Sequence, residues 1–144
     1  MSVKIINIFI IVFVLLGSVC SSFAQQTSTP VIIGNSISLT SKILNETRNI
    51  LVYTPPGHDQ GNERYPVLYL LEAEYAFHYV TGITTFLAEA DHIPELLVVG
   101  IANSDRNREL TPEPGEKERA RFPTSGGADT LLNFIQKELI PYIR

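Results

Sequence analysis

The sequence predicts an α/β fold built from a β-hairpin, a right-handed β-α-β unit and a further helix. Two wholly apolar runs, 67–71 and 96–101, are typical of strands that are covered on both faces. Between them, over residues 76–90, apolar residues recur at 76, 80, 83, 87 and 90, which is the spacing of a helix. Because parallel strands joined by a helix cross over right-handedly, the three segments form one β-α-β unit. With 144 residues, the chain is long enough for one domain.

Two strands are expected before this unit. Residues 36–44 alternate between apolar and polar side chains, as a half-buried strand does. Residues 48–54 follow after a short turn at Asn45 and Glu46, so the two strands form a hairpin. The prolines at 55 and 56 cannot donate to a sheet ladder and end the second strand.

A long polar loop and a last helix complete the pattern. The loop over 103–124 is too long for a simple connection and is expected to be a functional or lid segment. Ser125 is expected to cap the helix that follows, and Pro141 to end or kink it. The buried face of this helix is predicted to carry Ala128, Leu132, Ile135 and Leu139. No strand follows the helix in the sequence, so we expect a sheet that is interrupted part-way.

The first 24 residues predict a secretory signal peptide. Lys4 provides a basic start, residues 5–16 form an apolar run, and Ser22-Phe23-Ala24 fits the motif that signal peptidase cleaves. We therefore expect cleavage after Ala24 and export to the periplasm or the medium. An uncleaved anchor and a lipid on Cys20 are the alternatives. Residues 25–35 are expected to be a flexible leader, and residues 36–144 a partial domain.

Charge and composition exclude several classes of protein. The chain has 11 Lys and Arg against 15 Asp and Glu, and a net charge of −4 does not suit nucleic-acid binding. A single Cys allows neither a disulfide framework nor a Cys-based zinc site. His58, His78 and His92 each lack a second ligand at metal-binding spacing, and Gly126-Gly127 lacks the lysine of a phosphate-binding loop. We therefore expect no nucleic-acid partner, no metal and no cofactor.

Six sequence blocks occur in an order that resembles the esterase D / enterochelin-esterase-like branch of the α/β-hydrolases, over nearly all of residues 36–144. They are RNILVYTPPG (48–57), YPVLYLL (65–71), VVGIAN (98–103), DRNRELTP (105–112), SGGAD (125–129) and ELIPYI (138–143). The resemblance implies that strand 96–101 lies between the hairpin and strand 67–71. It also implies serine ester hydrolysis, with the nucleophile on a G-x-S-x-G elbow and the acid and the His later in the chain. No such elbow occurs here, so we expect the N-terminal half of an α/β-hydrolase sheet, truncated before the elbow, with no catalytic residue of its own and no activity alone.

The resemblance also implies an oxyanion site in the turn after strand 67–71. The backbone N–H of Glu74, or less favourably of Ala73, would be the donor in this chain. Glu72 and Ala73 stand where the family has Asp and Gly. A carboxylate pair for glycoside hydrolysis, formed by Glu72 and Glu74, is an alternative for this turn.

Two arginines, Arg106 and Arg108, follow the carboxyl end of strand 96–101, where ligands bind in open α/β sheets. They are candidates for holding an anionic group of a substrate. The alternative is a local Asp–Arg network that makes the loop rigid.

The sequence as a whole predicts part of an exported serine carboxylic-ester hydrolase that acts on a small-molecule ester. The alternative is a non-catalytic, exported binding module on a degenerate hydrolase fold, with loop 103–124 as its recognition surface. Strand 67–71 would be an apolar edge in the isolated chain, so we expect that chain to self-associate.

Overall fold

A mixed β-sheet with helices on both faces forms the domain. The structure is a computed structural model that describes residues 27–58 and 63–143, and the sheet and helices lie in the unit Ile32–Arg144. The strands are β1 (Asn35–Ser41), β2 (Glu46–Tyr53), β3 (Val67–Leu71) and β4 (Leu97–Ile101). The helices are α1 (Ala73–Glu89), α2 (Arg106–Leu110), α3 (Glu116–Arg121) and α4 (Ala128–Phe134), then a π-helical turn (Ile135–Leu139) and α5 (Ile140–Ile143).

The N-terminal segment lies outside the described residues. The predicted signal peptide, with Lys4, Cys20 and the cleavage motif, therefore stays a prediction. Within the described ranges, none of the helices has the length and apolar character needed to cross a membrane.

The sheet has the order β1-β2-β4-β3. The pairs β1–β2 and β2–β4 are antiparallel, whereas β3 and β4 are parallel, with Tyr69 opposite Val99. This confirms the predicted hairpin, the parallel β-α-β unit, and the position of β4 between the hairpin and β3. The α/β class is confirmed with it.

Burial differs between the two apolar strands. All five residues of β4 are buried, as predicted for a strand that is covered on both faces. In β3 the first four residues are only half-buried, and Leu71 is exposed. The expectation of full coverage is therefore wrong for β3, because β3 lies at the edge of the described sheet and β4 lies inside it.

Two apolar layers hold the helices on the sheet. Val98 faces α1 and packs with Ala73 and Phe77. On the opposite face the core consists of Ile50, Leu97, Val99, Ile101, Leu131, Phe134 and Leu139. Gly100 allows α1 to approach closely, since a Cβ atom there would lie 2.6 Å from the Cβ of Ala73.

The buried face of α1 differs from the predicted stripe. It consists of Ala73, Ala76, Phe77, Thr81 and Thr84, whereas Ile83 is 54% exposed. The two threonines can be buried because their hydroxyls donate to helix carbonyls, at 2.9 Å for Thr81 to His78 and 3.0 Å for Thr84 to Val80. Of the predicted stripe, Ala76 is buried and Val80 and Leu87 are half-buried, whereas Ile83 and Ala90 are exposed, so the stripe overlaps the buried face only in part.

The predicted buried face of the last helix is confirmed only in part. Leu131, Phe134 and Leu139 are its buried residues, whereas Leu132 is 51% exposed. Leu139 is buried as predicted, but it lies in a wider π-helical turn, which a regular 3.6-residue period does not predict. Pro141 does not end the helix, which continues to Ile143.

The helix start also differs from the prediction. Gly127, not Ser125, occupies the N-cap position, and no side chain caps this end of the helix.

The predicted polar loop, 103–124, contains two short helices, α2 and α3. Asp105 begins α2, because its carboxylate accepts a hydrogen bond from the N–H of Arg108 at 3.1 Å. This bond, more than the smaller contribution of Thr124, holds the pKa of Asp105 below its usual range.

Candidate active site

The turn after β3 and the loop after β4 lie side by side at the carboxyl ends of the two parallel strands. Leu71 and Ile101, the last residues of these strands, are opposite each other in the ladder. We call residues 72–74 and 102–109 together the C-terminal rim. Ligands of open α/β sheets bind at such a position.

Glu72 gives the turn its shape. Its backbone is in the left-handed region, at φ 54° and ψ 39°, and it forms the N-cap of α1. A side chain in this region is uncommon, and such backbone outliers cluster at functional sites. Ala73 is already helical and has no positive φ. Alanine therefore meets no backbone strain at position 73, where the family has glycine.

The turn presents two amide groups at the N-terminus of a helix of 17 residues. The first amides of a helix have no partner within it. No hydrogen bond between described residues uses the N–H of Ala73 or of Glu74, although the carbonyl of Glu72 accepts from Tyr75 and Ala76. Ala73 is buried and Glu74 is exposed. These two amides are the predicted oxyanion donors, and the helix dipole favours negative charge beside them.

Two side chains of the turn bridge to the loop after β4. The carboxylate of Glu74 accepts the N–H of Asn103 at 3.1 Å. The carboxylate of Glu72 accepts from Nε of Arg106, whose side chain is 66% exposed. Both carboxylates therefore hold parts of the rim together, which gives the glycosidase alternative no support.

Two carboxylates hold the side chain of Arg108. Its Nη2 atom lies 2.7 Å from Glu109 Oε1 and 3.0 Å from Glu46 Oε1. The hydrogen bond to Glu109 raises the pKa of Arg108 further, against the opposing effect of burial. Arg108 thus belongs to a local ion-pair network, formed with Glu46 and Glu109 rather than with an Asp, whereas Arg106 pairs with Glu72 in the other part of the rim.

A partly buried group of charged side chains supports the loop after β4. Arg48 and Glu109 have side chains that are 1% and 2% exposed, with Nη2 of Arg48 2.8 Å from Oε1 of Glu109. Arg48 also lies 3.0 Å from Glu46, and its Nη1 donates to Ser104 Oγ at 2.9 Å. We call Glu46, Arg48, Arg108 and Glu109 the charged quartet. The sequence prediction missed it, because the members of the quartet are far apart in the chain.

Glu109 holds the backbone of the loop. Its carboxylate accepts the amides of Ser104, at 3.2 Å, and of Asp105, at 3.1 Å. Burial raises the pKa of Glu109, but its hydrogen bonds to Arg48 and Arg108 outweigh burial and lower it below the usual range. The carboxylate is therefore charged at neutral pH, and the loop is fixed before any ligand binds.

A cavity lies at the other end of the strands. It has a volume of about 780 Å³, and its lining includes Val67 and Leu97, the first residues of β3 and β4. His58 also lines it, whereas His78 and His92 are exposed on and after α1. Among residues 27–58 and 63–143, no three His, Cys, Asp or Glu side chains are grouped as metal ligands. This cavity and the C-terminal rim thus have no lining residue in common.

The family follows from comparison with known proteins. The model of the family described as "Putative esterase" matches residues 41–144. The chain belongs to this esterase family. The curated relative YbbA of Bacillus subtilis (strain 168), an uncharacterized protein, is 27% identical over 97 residues, which is 67% of this chain and 39% of that protein.

Solved structures have the same fold. The IroE-like serine hydrolase from Shewanella oneidensis has a TM-score of 0.68 and 36% identity, covering 76% of this chain and 37% of that one. The siderophore hydrolase EstA from Aspergillus nidulans has a TM-score of 0.63 over 84% of this chain and 47% of that one. At 18% identity the second likeness shows the fold alone. The chain thus spans less than half the length of these proteins.

Proposed function

We propose that this chain provides the N-terminal half of an exported serine carboxylic-ester hydrolase that needs no cofactor. The observation that carries the proposal is the pair of amides, of Ala73 and Glu74, that lies unpaired at the carboxyl end of β3. Membership of the esterase family and the likeness to a serine hydrolase at 36% identity support it.

The rim supplies electrostatic stabilisation in this mechanism. When a serine attacks an ester carbonyl, the carbonyl oxygen becomes an oxyanion, and preorganised N–H donors stabilise it. The amide of Glu74, with that of Ala73 beside it, fills this role here. The charged quartet and the bridge from Glu74 to Asn103 keep the surrounding loop in place. The serine, the general base and its acid belong to sequence outside these 144 residues.

Arg106 indicates the chemical class of the proposed substrate. Its side chain is 66% exposed, and among the described residues its guanidinium pairs with Glu72. A carboxylate or another anionic group on the substrate replaces Glu72 as its partner, since guanidinium groups bind such anions well. The proposed substrate is therefore a small ester with an anionic group within reach of the rim.

The test begins with the coding sequence beyond codon 144. We expect it to continue into a G-x-S-x-G motif, and we expect the longer protein to hydrolyse p-nitrophenyl acetate in a reaction that a serine-directed phosphonate abolishes. The 144-residue chain serves as the matched control and should show no such turnover, because a bare oxyanion site contributes little without a nucleophile.

Two outcomes contradict the proposal. Phosphonate-sensitive turnover by the 144-residue chain would place a nucleophile within it. A stop codon directly after codon 144 would favour the non-catalytic binding module.

A further inference from the structure

Residues 112–126 form an Ω-loop, which is a surface loop whose two ends lie together. At its base the N–H of Gly127 donates to the carbonyl of Arg108 at 2.7 Å, and the N–H of Ala128 donates to the carbonyl of Thr111 at 3.2 Å. The base adjoins the C-terminal rim, to which Arg108 belongs. Loops of this kind are frequently functional. We call residues 112–126 the rim loop.

The returning end of the rim loop is fixed to the rim. The hydroxyl of Thr124 donates a hydrogen bond to the carboxylate of Asp105, which is a rim residue. Gly126 follows at φ 117°, where a side chain would be strained and would collide with the carboxylate of Glu113. The rim loop therefore closes in one defined way, with its last residues against the rim.

The middle of the rim loop has no such support. It is occupied by α3, which has the sequence EKERAR and no buried residue. An isolated helix shorter than about 12 residues is only marginally stable in water, and burial against the rest of the protein adds nothing to the stability of α3. Segments with few buried contacts open at little cost in free energy. We therefore expect α3 to open readily while the base of the rim loop stays closed.

The exposure of α3 follows from its own composition. Every residue of this helix except Ala120 is charged, so the helix has no apolar side that another part of a protein would cover. The strand β3 differs in this respect, since it is apolar throughout and half-buried over most of its length. The helix α3 is therefore suited to remain in water when no ligand is bound.

One cation of α3 is available to a ligand. Arg119 pairs with Glu113, whereas Arg121 has no carboxylate partner among the described residues. The guanidinium of Arg121 lies over the ring of Phe122, with Cζ 5.2 Å from the ring centre. A guanidinium that stacks on an aromatic ring keeps the donors at its edge for an anion. Thr124 follows three positions later, at most about 11 Å along the chain, so Arg121 is the cation of α3 nearest in sequence to the rim.

We propose that α3 is a lid of the C-terminal rim and that Arg121 is the residue through which the lid recognises the substrate. Arg106 offers one guanidinium on the rim, and closure of α3 adds a second, so that the anionic group of the ester is held from two sides. A ligand closes a lid only if it binds the closed form better, and the contact with Arg121 supplies this difference. The inference rests on the proposed function and names a specificity-determining residue for it.

Hydrogen exchange of the 144-residue chain tests the lid without a substrate. The N–H groups of Arg119 and Phe122 are hydrogen-bonded at the two ends of α3, and those of Gly127 and Ala128 close the base of the rim loop. We expect the first pair to exchange about 100-fold faster than the second, because only α3 opens. The π-helical turn Ile135–Leu139, which includes a buried residue, is the helical control and should exchange slowly.

Two exchange results would overturn the lid. The first is exchange of Arg119 and Phe122 that is as slow as in the helical control. The second is slow exchange of these two amides in a longer protein without substrate, since this would show that another part of the protein covers α3.

Two esters of the same length test Arg121 in the longer protein. The acyl chain of p-nitrophenyl butyrate ends in a methyl group, and that of mono-p-nitrophenyl succinate ends in a carboxylate. Arg121→Gln should raise KM for the succinate about tenfold and leave kcat unchanged, because the carboxylate is bound equally in the ground state and the transition state. The butyrate should be unaffected. Lys117→Gln, which removes the same charge one helical turn further from Thr124, is the control and should change neither ester.

The outcomes distinguish the role of Arg121 from the proposed function. If neither ester is hydrolysed, the esterase function fails, and the role of Arg121 fails with it. If both esters are hydrolysed and Arg121→Gln affects them equally, the role of Arg121 alone is overturned. An effect of Lys117→Gln on the succinate as large as that of Arg121→Gln would also overturn it.

Discussion

At the scale of single residues, the buried Arg48 shows how a charge supports a site that it does not touch. Its guanidinium lies between Glu46 and Glu109, and Glu109 in turn holds two amides of the loop after β4. The Nε atom of Arg48 has no hydrogen-bond partner among the described residues. The carboxylates therefore carry most of the compensation for burying this charge.

Replacing Arg48 should be far more costly than replacing Arg106. Arg48→Met leaves Glu109 buried beside Arg108 alone, and removing one partner of a buried ion pair costs about 3–5 kcal/mol of unfolding free energy. Arg106→Met breaks an exposed pair, which contributes about 0–1 kcal/mol. Urea denaturation of the two variants measures the difference. Equal losses in both variants would contradict the importance of the charged quartet.

The roles of the two candidate arginines could be predicted only in part from sequence. Both follow β4. The rule that open α/β sheets bind ligands at the carboxyl ends of their strands correctly placed this loop at the C-terminal rim. The network around Arg108 includes Glu46, which lies 62 positions from it in the chain. No pattern of neighbouring residues indicates a contact between two residues so far apart in the chain.

At the scale of elements, one carboxylate joins the hairpin to the last helix. Glu138, in the π-helical turn, accepts hydrogen bonds from Ser41 Oγ, the amide of Lys42 at 3.0 Å and the amide of Ile43 at 3.2 Å. The bond from Ser41, ahead of the two amides, holds the pKa of Glu138 below its ordinary value of 4.5. The contact joins residues 97 positions apart, so the sequence could predict the two elements but not their connection.

This connection should be sensitive to acid. A carboxyl with a lowered pKa in the folded state stabilises the fold above its unfolded pKa, and the stabilisation is lost as pH falls through the folded pKa. We expect Glu138→Gln to lower the melting temperature near pH 7 and to make little difference at a pH well below 4.5. Thermal melts of both proteins between pH 7 and pH 3 measure this. Glu89→Gln, an exposed change at the end of α1, is the control. A difference in melting temperature that stays the same at every pH would show that Glu138 stabilises the fold through its packing and not through its charge.

At the scale of the whole molecule, the order of the sheet, with β3 at an edge of this chain, could be predicted from the family resemblance, whereas the limited burial of β3 could not be predicted from its own residues. The apolar runs of β3 and β4 look alike, and both predicted central strands. Whether such a strand is covered depends on the strands and helices beside it, and these lie outside its own sequence. The family resemblance supplied the order of the strands, a property that periodicity does not contain.

Export is the remaining expectation at this scale. If residues 1–24 are a signal peptide, the exported protein begins at Gln25, and intact-mass analysis of that product shows it. Ala24→Asp should block cleavage, because the peptidase needs a small residue there, whereas Gln26→Asp should not. A product of full length outside the cytoplasm would support the uncleaved anchor instead.

The close approach at Gly100 has a consequence for the rim. A methyl group at this position would lie 2.6 Å from the Cβ of Ala73 and 2.9 Å from the ring of Phe77. The first turn of α1 therefore packs directly on the backbone of β4, through the methyl group of Ala73 and the ring of Phe77. Close packing of this kind leaves little room for a helix to shift on a strand. The N–H groups of Ala73 and Glu74, the predicted oxyanion donors, thus lie on a turn whose position is fixed by contact with β4.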